Sequence, residues 1–258
     1  MDYINTASSG YYYAYVASGT HAVVALLESE KYLKQVAIKD GGTDDGRAEF
    51  GNPAIWASAS GIRGLWRLDG NANDSSGFAN NGTVNGPLFI LGKLGSAASF
   101  SFGSQNITIP DASSLFHSST TSILAWVKRG GIMPIYSDDN NSAPQIQAHL
   151  KFTGVSAVQF RTNNGGVSAN QQFVAAFPVN AWGHVAFTWI GGKVNLHIDG
   201  SFIEQKDLIS IPTDYSWPHY IGSDAAGAAS QNGILDELCV YNRDLSAPEI
   251  QAIYKATR

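Results

Sequence analysis

The sequence predicts an all-β fold, a sandwich of two antiparallel sheets with a short C-terminal helix and a small N-terminal β module. Short segments rich in β-branched and aromatic residues recur along the chain, and Gly, Asn, Asp and Pro separate them. Helical start signals are clear only near the C-terminus. Apolar residues make up 44% of the 258 residues, so the chain can bury a large core.

The first 60 residues are predicted to form a separate N-terminal module. The segments YYYAYV (11–16) and HAVVALL (21–27) have strand composition, and ESEKYLKQVAIKDGG (28–42) fits a strand hairpin or, nearly as well, a helix. The hairpin is the preferred interpretation. Residues 40–53 have the composition of a long loop or linker. We therefore expect residues 1–60 to be a docking module or extra strands of the sandwich, and 61–258 to be the main domain.

Six segments of the main domain have the strongest strand patterns: QNITIP (105–110), TSILAWVKR (121–129), VSAVQFRT (155–162), HVAFTWI (184–190), KVNLHIDG (193–200) and GILDELCVY (233–241). In the fifth of these, Val194, Leu196 and Ile198 alternate with polar residues, as in a half-buried strand. Ser246 and Glu249 form an S-x-x-E capping box, which predicts that a helix begins after Ser246.

Composition excludes several kinds of partner. The formal net charge is −5 and the chain has no Lys/Arg run, which argues against nucleic acid and anionic membranes. No apolar run approaches the roughly 20 residues of a membrane span, so membrane insertion is not expected. The start of the chain lacks the pattern of a secretion signal. Cys239 is the one cysteine, which allows no internal disulfide, and its apolar neighbours predict a buried thiol.

Several sequence blocks occur in an informative order. GLWRLDGNANDSSGFANNGTVNG is followed by GKLGSAASFSF, ITIPDASSL, SILAWVKR, AWGHVAFTWIGGKVNLHIDG and GILDELCVYNRDLSAPEIQAIY. This order resembles the laminin-G-like jelly roll of the concanavalin A-like lectin/glucanase superfamily over about residues 61–257. The resemblance implies two antiparallel sheets. It also implies a calcium ion that joins the loop after the first strand to the last strand.

The resemblance assigns the side-chain ligands of that calcium ion to Asp74 and Asp236. Calcium prefers several oxygen ligands, and the loop at residues 68–82 is dense in Asp, Asn and Gly. Further ligands are expected among the residues around its backbone carbonyls: Asn71, Asn73, Gly77 and Asn80. Asn81 departs from the family, which often has an Asp close to that position. The alternative is an ordinary surface turn, with Asp236 bonded to backbone donors.

A second candidate site lies in two loops. Trp217, with Tyr215 and His219, lies in the segment PTDYSWPHYIG, where an exposed aromatic ring could stack on a sugar. Asp138 and Asn140 lie in the polar segment SDDNNSAPQ, and their side chains could bind sugar hydroxyls. The alternatives are a tryptophan that anchors its own loop and, for the second segment, ordinary turn chemistry.

The sequence favours a non-catalytic binding or adhesion protein. Glycosidases need two carboxylates on one face, and the E-x-D-x-x-E pattern of the superfamily's enzymes is absent. Asp236 and Glu237 are adjacent and are expected to point to opposite faces of a strand. The expected partner is a glycan, such as a host or cell-surface polysaccharide, and the expected location is extracellular. The alternative is a structural or decoration protein on a bacteriophage virion surface, docked through residues 1–60. A glycoside hydrolase is a third alternative.

Overall fold

The computed structural model describes residues 60–101, 103–111, 113–115, 120–138, 146–154, 156–164, 167–208, 217–224 and 232–258, together with the backbones of three N-terminal strands. Those strands are β1 (Tyr13–Ala17), β2 (His21–Ala25) and β3 (Ala48–Phe50), and they form one antiparallel sheet in that order. The two predicted strands are confirmed. Strand β3 lies within residues 40–53, so the prediction of a loop there is wrong for these three residues. The segment 28–42 lies outside the described residues.

The main part of the chain contributes fifteen further strands to two sheets. In chain order they are β4 (Ile62–Trp66), β5 (Thr83–Asn85), β6 (Leu88–Leu91), β7 (Ser96–Phe100), β8 (Asn106–Ile109), β9 (Thr120–Arg129), β10 (Met133–Ser137), β11 (Ile146–Gly154), β12 (Ala157–Asn164), β13 (Val167–Val174), β14 (Trp182–Ile190), β15 (Lys193–Ile198), β16 (Ser201–Asp207), β17 (His219–Ile221) and β18 (Gly233–Tyr241). All six segments with strong strand patterns are confirmed as strands.

The strands are arranged as the predicted sandwich. One sheet has seven strands in the order β13-β12-β11-β10-β17-β8-β5. The other has eight, in the order β16-β15-β14-β9-β18-β7-β6, with β4 paired to β18 beside this path. The pairings given for these strands are antiparallel. The fold is therefore an all-β, two-sheet jelly roll, as predicted.

Large apolar side chains from both sheets fill the space between them. Phe160 of the seven-stranded sheet packs against Trp189 and Phe187 of the eight-stranded sheet, with ring centroids 5.0 Å and 5.6 Å apart. These three side chains belong to one continuous buried cluster. Since successive strand residues point to opposite faces, filling the core with one set of positions sends the alternate positions outward. Each sheet thus has an outer face whose residues are fixed by the core.

A helix covers the outer face of the eight-stranded sheet. It is α1 (Ala247–Thr257), and its start is the predicted one, since the backbone N–H of Ser246 donates to Glu249 Oε2 at 2.8 Å. Ile250 and Ile253 of the helix belong to a second buried cluster with Cys239 and other residues of this sheet. Trp126 Nε1 donates to Thr257 Oγ1 at 2.9 Å. The outer face of this sheet is therefore partly closed by the chain itself.

A buried histidine lies beneath this helix. The ring centroid of His184 is 5.3 Å from that of Trp126 and 6.1 Å from that of Tyr254, and its side chain is fully buried. Neither ring nitrogen has a hydrogen-bond partner among the residues that the structure describes. Burial, with a smaller contribution from His197, lowers the pKa of His184 to about 3. The folded protein therefore holds this imidazole neutral under conditions where the unfolded chain takes up a proton.

We predict that His184 makes the protein less stable in acid. A folded pKa below the unfolded value means that the unfolded chain binds more protons, so stability falls as the pH falls from about 6.5 towards 4. Between those pH values the loss due to this residue is on the order of 3 kcal/mol. His184→Phe should flatten the pH dependence of unfolding free energy measured in urea. An unchanged pH dependence in the variant would contradict this role.

Candidate functional site

The polar loop after β4 is organised by Asp74. Its Oδ1 accepts from the backbone N–H groups of Leu65 and Ser76, at 2.9 and 2.8 Å. Its Oδ2 accepts from Ser76 Oγ at 2.7 Å and from the backbone N–H of Asn80 at 2.9 Å. A carboxylate has about four acceptor positions, so these four bonds occupy the oxygens of Asp74. The residue thus ties the loop to strand β4 by itself.

The other predicted ligands in this loop also bind within it. Asn71 Oδ1 accepts from the backbone N–H of Asn73 at 2.8 Å, and the backbone carbonyl of Asn80 accepts from Trp66 Nε1 at 2.9 Å. The backbone of Asp74 bridges to Trp66, which in turn pairs with Leu238 of β18. Two strand spacings, about 10 Å, therefore separate the Asp74 backbone from β18. This arrangement is the Asx-rich turn that the sequence left open as an alternative.

Asp236 binds a different part of the chain, the turn at residues 92–96. Its Oδ2 accepts from the backbone N–H groups of Lys93 and Leu94, at 2.7 and 2.9 Å. Asp69 grips the same turn, since its Oδ1 accepts from the backbone N–H of Ser96 at 2.7 Å. The structure therefore places Asp69 at the turn that Asp236 binds, whereas Asp74 bonds within its own loop. Asp69 lies in the same polar loop as Asp74, and the sequence pattern alone does not distinguish it from its polar neighbours.

A β-bulge brings Glu237 to the same face as Asp236. Leu235 and Leu238 both point into the main core, and the pairing register shifts between Asp236 and Cys239. Glu237 has a φ of 48°, in the left-handed region. One extra residue in the strand accounts for this pattern, and it turns both acids outward. The prediction that these acids point to opposite faces is therefore wrong.

Asp69, Asp236 and Glu237 form what we call the acidic cluster. Asp236 and Glu237 are 0% and 1% exposed, so neither side chain is open to a sugar substrate. Burial, and then the Glu237 carboxylate, raise the pKa of Asp236 well above its ordinary value. Burial raises the pKa of Glu237 to about 8, although Arg67, 3.7 Å away, opposes this. Asp236 Oδ1 and Glu237 Oε2 are buried, and neither has a hydrogen-bond partner in the described part of the chain.

These contacts test whether the predicted ligands fit a calcium ion. Asp74 fits poorly because its acceptor positions are already used. Asp236 and Glu237 fit better, since each has a buried oxygen without a partner, and a cation would neutralise two neighbouring buried charges. No group of three or more His, Cys, Asp or Glu side chains in the described ranges is arranged to hold a metal. Backbone carbonyls or water would have to complete such a site.

The predicted sugar-contact residues lie in different environments. His219 is buried, and its Nδ1 is 2.8 Å from the hydroxyl of buried Tyr136. Asp138 is also buried, and its Oδ1 accepts from the backbone N–H of Ala148 at 2.7 Å. Both are structural contacts rather than the exposed loop positions that the sequence predicted. Trp217 is half-buried, while Tyr215 and Asn140 lie outside the described residues.

The outer face of the seven-stranded sheet carries a continuous line of polar residues. One residue from each strand pairs with the next across the whole sheet, with the partners in register. From one edge to the other the line runs Thr83, Thr108, Tyr220, Ser137, His149, Arg161 and Asn170. We call this line the polar row. Six strand spacings make it about 29 Å long.

A second set of polar residues lies beside the polar row. Gln172, Gln159 and Lys151 pair across β13, β12 and β11, and Asn85 pairs with Asn106 across β5 and β8. Asp224, just after β17, bonds to both sets. Its Oδ1 is 2.7 Å from His149 Nε2, and its Oδ2 accepts from Lys151 Nζ at 3.0 Å. Although burial raises it, these hydrogen bonds hold the pKa of Asp224 below its ordinary value.

The sequence contained only part of the signal for this face. The alternation in VSAVQFRT predicts that Gln159 and Arg161 share a face opposite Val158 and Phe160, which is the arrangement observed. The full row could not be predicted because Tyr220 is separated by many residues from its cross-strand partners Thr108 and Ser137. This face is a largely polar platform, and the half-buried ring of Tyr220 lies in the interior of its polar row.

The family of the chain is shown by comparison with known protein families. A family model described as the concanavalin A-like lectin/glucanases superfamily matches residues 101–251, more than half of the chain. The chain therefore belongs to this superfamily, as the resemblance implied. A search of curated proteins gave no match. The described part of the chain has no helix with the length and apolarity needed to cross a membrane.

Similar solved structures are found among binding domains. Domain 4 of the extracellular arabinanase AbnA of Geobacillus stearothermophilus, in complex with arabinotriose, aligns with a TM-score of 0.63 and 19% identity, covering 75% of this chain and 98% of that domain. The binding domain of Paraclostridial mosquitocidal protein 1 aligns with a TM-score of 0.59 and 17% identity, covering 75% of this chain and 52% of that chain. A botulinum neurotoxin DC binding domain in complex with SialylT aligns with a TM-score of 0.58 and 15% identity, covering 78% of this chain and 52% of that chain. The chain thus spans about half the length of these toxin domains, and such identities show the fold alone.

Proposed function

We propose that this protein is a non-catalytic glycan-binding module, and that a polysaccharide chain binds along the outer face of the seven-stranded sheet. The observation that supports this most is the polar row, which continues in register over all seven strands. Its exposed and half-buried members, Thr83, Thr108, Tyr220, Arg161 and Asn170, offer hydroxyl, guanidinium and amide groups to sugar hydroxyls, whereas Ser137 and His149 within the row are buried. An extracellular setting, where polysaccharides are accessible, is part of this proposal.

Two further observations support this face over the opposite one. Helix α1 packs on the outer face of the eight-stranded sheet, so that face is partly occupied. Tyr220 lies half-buried between Thr108 and Ser137, in the interior of the polar row. Its ring can pack against the apolar face of a sugar while polar neighbours bind the hydroxyl groups. Comparable domains that were solved with arabinotriose or SialylT are consistent with a glycan ligand.

We predict that Tyr220→Ala weakens polysaccharide binding about tenfold, because the ring supplies the largest apolar contact of the polar row. Affinity should be measured by isothermal titration calorimetry with any polysaccharide that binds in a panel of neutral and acidic polymers. Phe202→Ala is the matched control, since Phe202 is an exposed aromatic residue on β16 of the other sheet. Failure of the whole panel to bind, or equal loss in both variants, would refute the proposal.

We also propose that the buried carboxylates of the acidic cluster hold a structural calcium ion. Asp236 and Glu237 would be its side-chain ligands, in place of the Asp74–Asp236 pair that the resemblance implies. The support is the pair of buried carboxylate oxygens without partners. When bound, the ion would neutralise these two charges and lock the turn at residues 92–96 to strand β18. The protein groups already fix this turn through three backbone N–H donors.

We predict that calcium raises the melting temperature and that EDTA lowers it, because an ion that binds only the folded state stabilises that state. The shift should disappear in Asp236→Asn. Asp74→Asn should lower the melting temperature, since four hydrogen bonds of the loop depend on that carboxylate, but should keep the calcium-dependent shift. A protein first stripped of metal whose melting temperature ignores calcium would rule out the ion. Loss of the shift in both Asp74→Asn and Asp236→Asn would instead favour the Asp74–Asp236 pair implied by the resemblance.

The alternative role on a virion surface, with residues 1–60 docking to a protein partner, stays a prediction. The structure describes these residues only as three backbone strands, which pair with one another. The two roles are compatible, because a docked module could present its seven-stranded sheet to glycans.

A further inference from the structure

The outer face of the seven-stranded sheet carries an excess of positive charge, although the whole chain has a net charge of −5. Its cations in the described ranges are Lys151 and Arg161. Asp224 is the acid that contacts this face in the described ranges, and it is engaged by both His149 and Lys151. The charge of Asp224 is therefore balanced by its own contacts, and the charge of Arg161 remains.

The side chain of Arg161 has no hydrogen bond or ion pair within the part of the chain that the structure describes, in contrast to the side chains of two other arginines. Arg243 binds Glu249, and buried Arg129 donates to the backbone carbonyls of Gly131, Gly154 and Phe177. The neighbours of Arg161 in the polar row are His149 and Asn170, neither of which is an acid. A half-buried guanidinium in the interior of a platform thus keeps its five N–H donors available.

We infer that the glycan bound by this face is anionic, and that Arg161 binds its acidic group. This inference rests on the proposed function of the polar row. A guanidinium presents a planar pair of N–H donors that matches the two oxygens of a carboxylate or a sulfate, and such charged hydrogen bonds are stronger than neutral ones. A neutral polysaccharide would leave this charge without a partner once water is displaced from the face. In the polar row, Arg161 is one strand from His149 on one side, and Tyr220 is two strands from His149 on the other side.

The geometry also points to where the acid lies along the bound chain. Arg161 is on β12 and Tyr220 is on β17, and β11 and β10 lie between them. Three strand spacings, about 14 Å, separate the two backbones. The acidic group and the ring that packs on Tyr220 therefore belong to different sugar residues of one oligosaccharide. Binding should need an oligomer rather than a free acidic monosaccharide.

The test uses the full chain and four polymers: polygalacturonate and hyaluronan, which carry carboxylates, dextran sulfate, which carries sulfates, and neutral dextran. Carboxyl-reduced polygalacturonate and carboxyl-reduced hyaluronan serve as neutral partners of the first two. Binding to at least one anionic polymer should exceed binding to its neutral partner at least tenfold and should weaken as salt is raised. The first two polymers and dextran sulfate distinguish a carboxylate ligand from a sulfate ligand.

Arg161→Gln should lower affinity for the preferred anionic polymer about tenfold or more. Arg161→Lys, which keeps the charge but loses the planar fork, should recover part of that affinity. Lys128→Gln is the matched control, because it removes a positive charge from β9 of the other sheet and should leave affinity unchanged. Equal binding of anionic and neutral partners, or equal loss in Arg161→Gln and Lys128→Gln, would overturn the inference while leaving the glycan site intact. An absence of binding to every polymer would instead remove the proposed function together with the inference.

Discussion

The structure depends on the register between neighbouring strands of the seven-stranded sheet. The core requires apolar side chains at alternate positions, and Phe152, Phe160 and Phe173 fill it from three adjacent strands. Because side chains alternate, those same strands must present their other positions on the outer face. The in-register pairing then aligns the outward residues from strand to strand. A slip of one residue in β12 would move Arg161 into the core and Phe160 to the surface.

The two outer faces of the sandwich differ because the chain uses them differently. On the eight-stranded sheet, α1 covers Trp126 and His184, and the bulge in β18 holds two acids beneath the surface. Two acidic side chains are thus buried in that half of the molecule. On the seven-stranded sheet, most outward groups are polar and include the cations Lys151 and Arg161, although Val174 of the edge strand β13 is also exposed. The proposed anionic ligand would therefore bind on the face that lies away from these buried acids.

Much of the fold could be predicted from local pattern, because strand alternation and turn composition are local properties. The strands around Phe160, Phe187 and Val194 followed directly from these patterns, as did the helix capped by Ser246 and Glu249. The edge strands β5 and β6 were not predicted from pattern. They are short and mostly exposed, so packing in the core does not impose an alternation of apolar and polar residues on their sequence. Strand order is a long-range property, and local pattern does not determine it.

The candidate site was harder to predict than the fold, for physical reasons that particular residues illustrate. Asp74 lies in a loop whose composition is typical of a metal site, but nearby backbone N–H groups already donate hydrogen bonds to its carboxylate oxygens. Whether Asp236 and Glu237 share a face depends on one inserted residue, which strand periodicity cannot detect. His219 follows a polar loop, yet it is buried and hydrogen-bonds to the hydroxyl of Tyr136 in the interior. Arg161 becomes notable only when its neighbours across the sheet are known.

The most direct test of this account is to map a bound acidic oligosaccharide onto the protein by NMR. Backbone amide signals of a labelled full chain would be followed during titration with the oligomer that binds best. The account predicts that the largest shifts come from β8, β17, β10, β11 and β12 and form a continuous band along the polar row. Shifts confined to α1, to the outer face of the eight-stranded sheet or to the acidic cluster would contradict it.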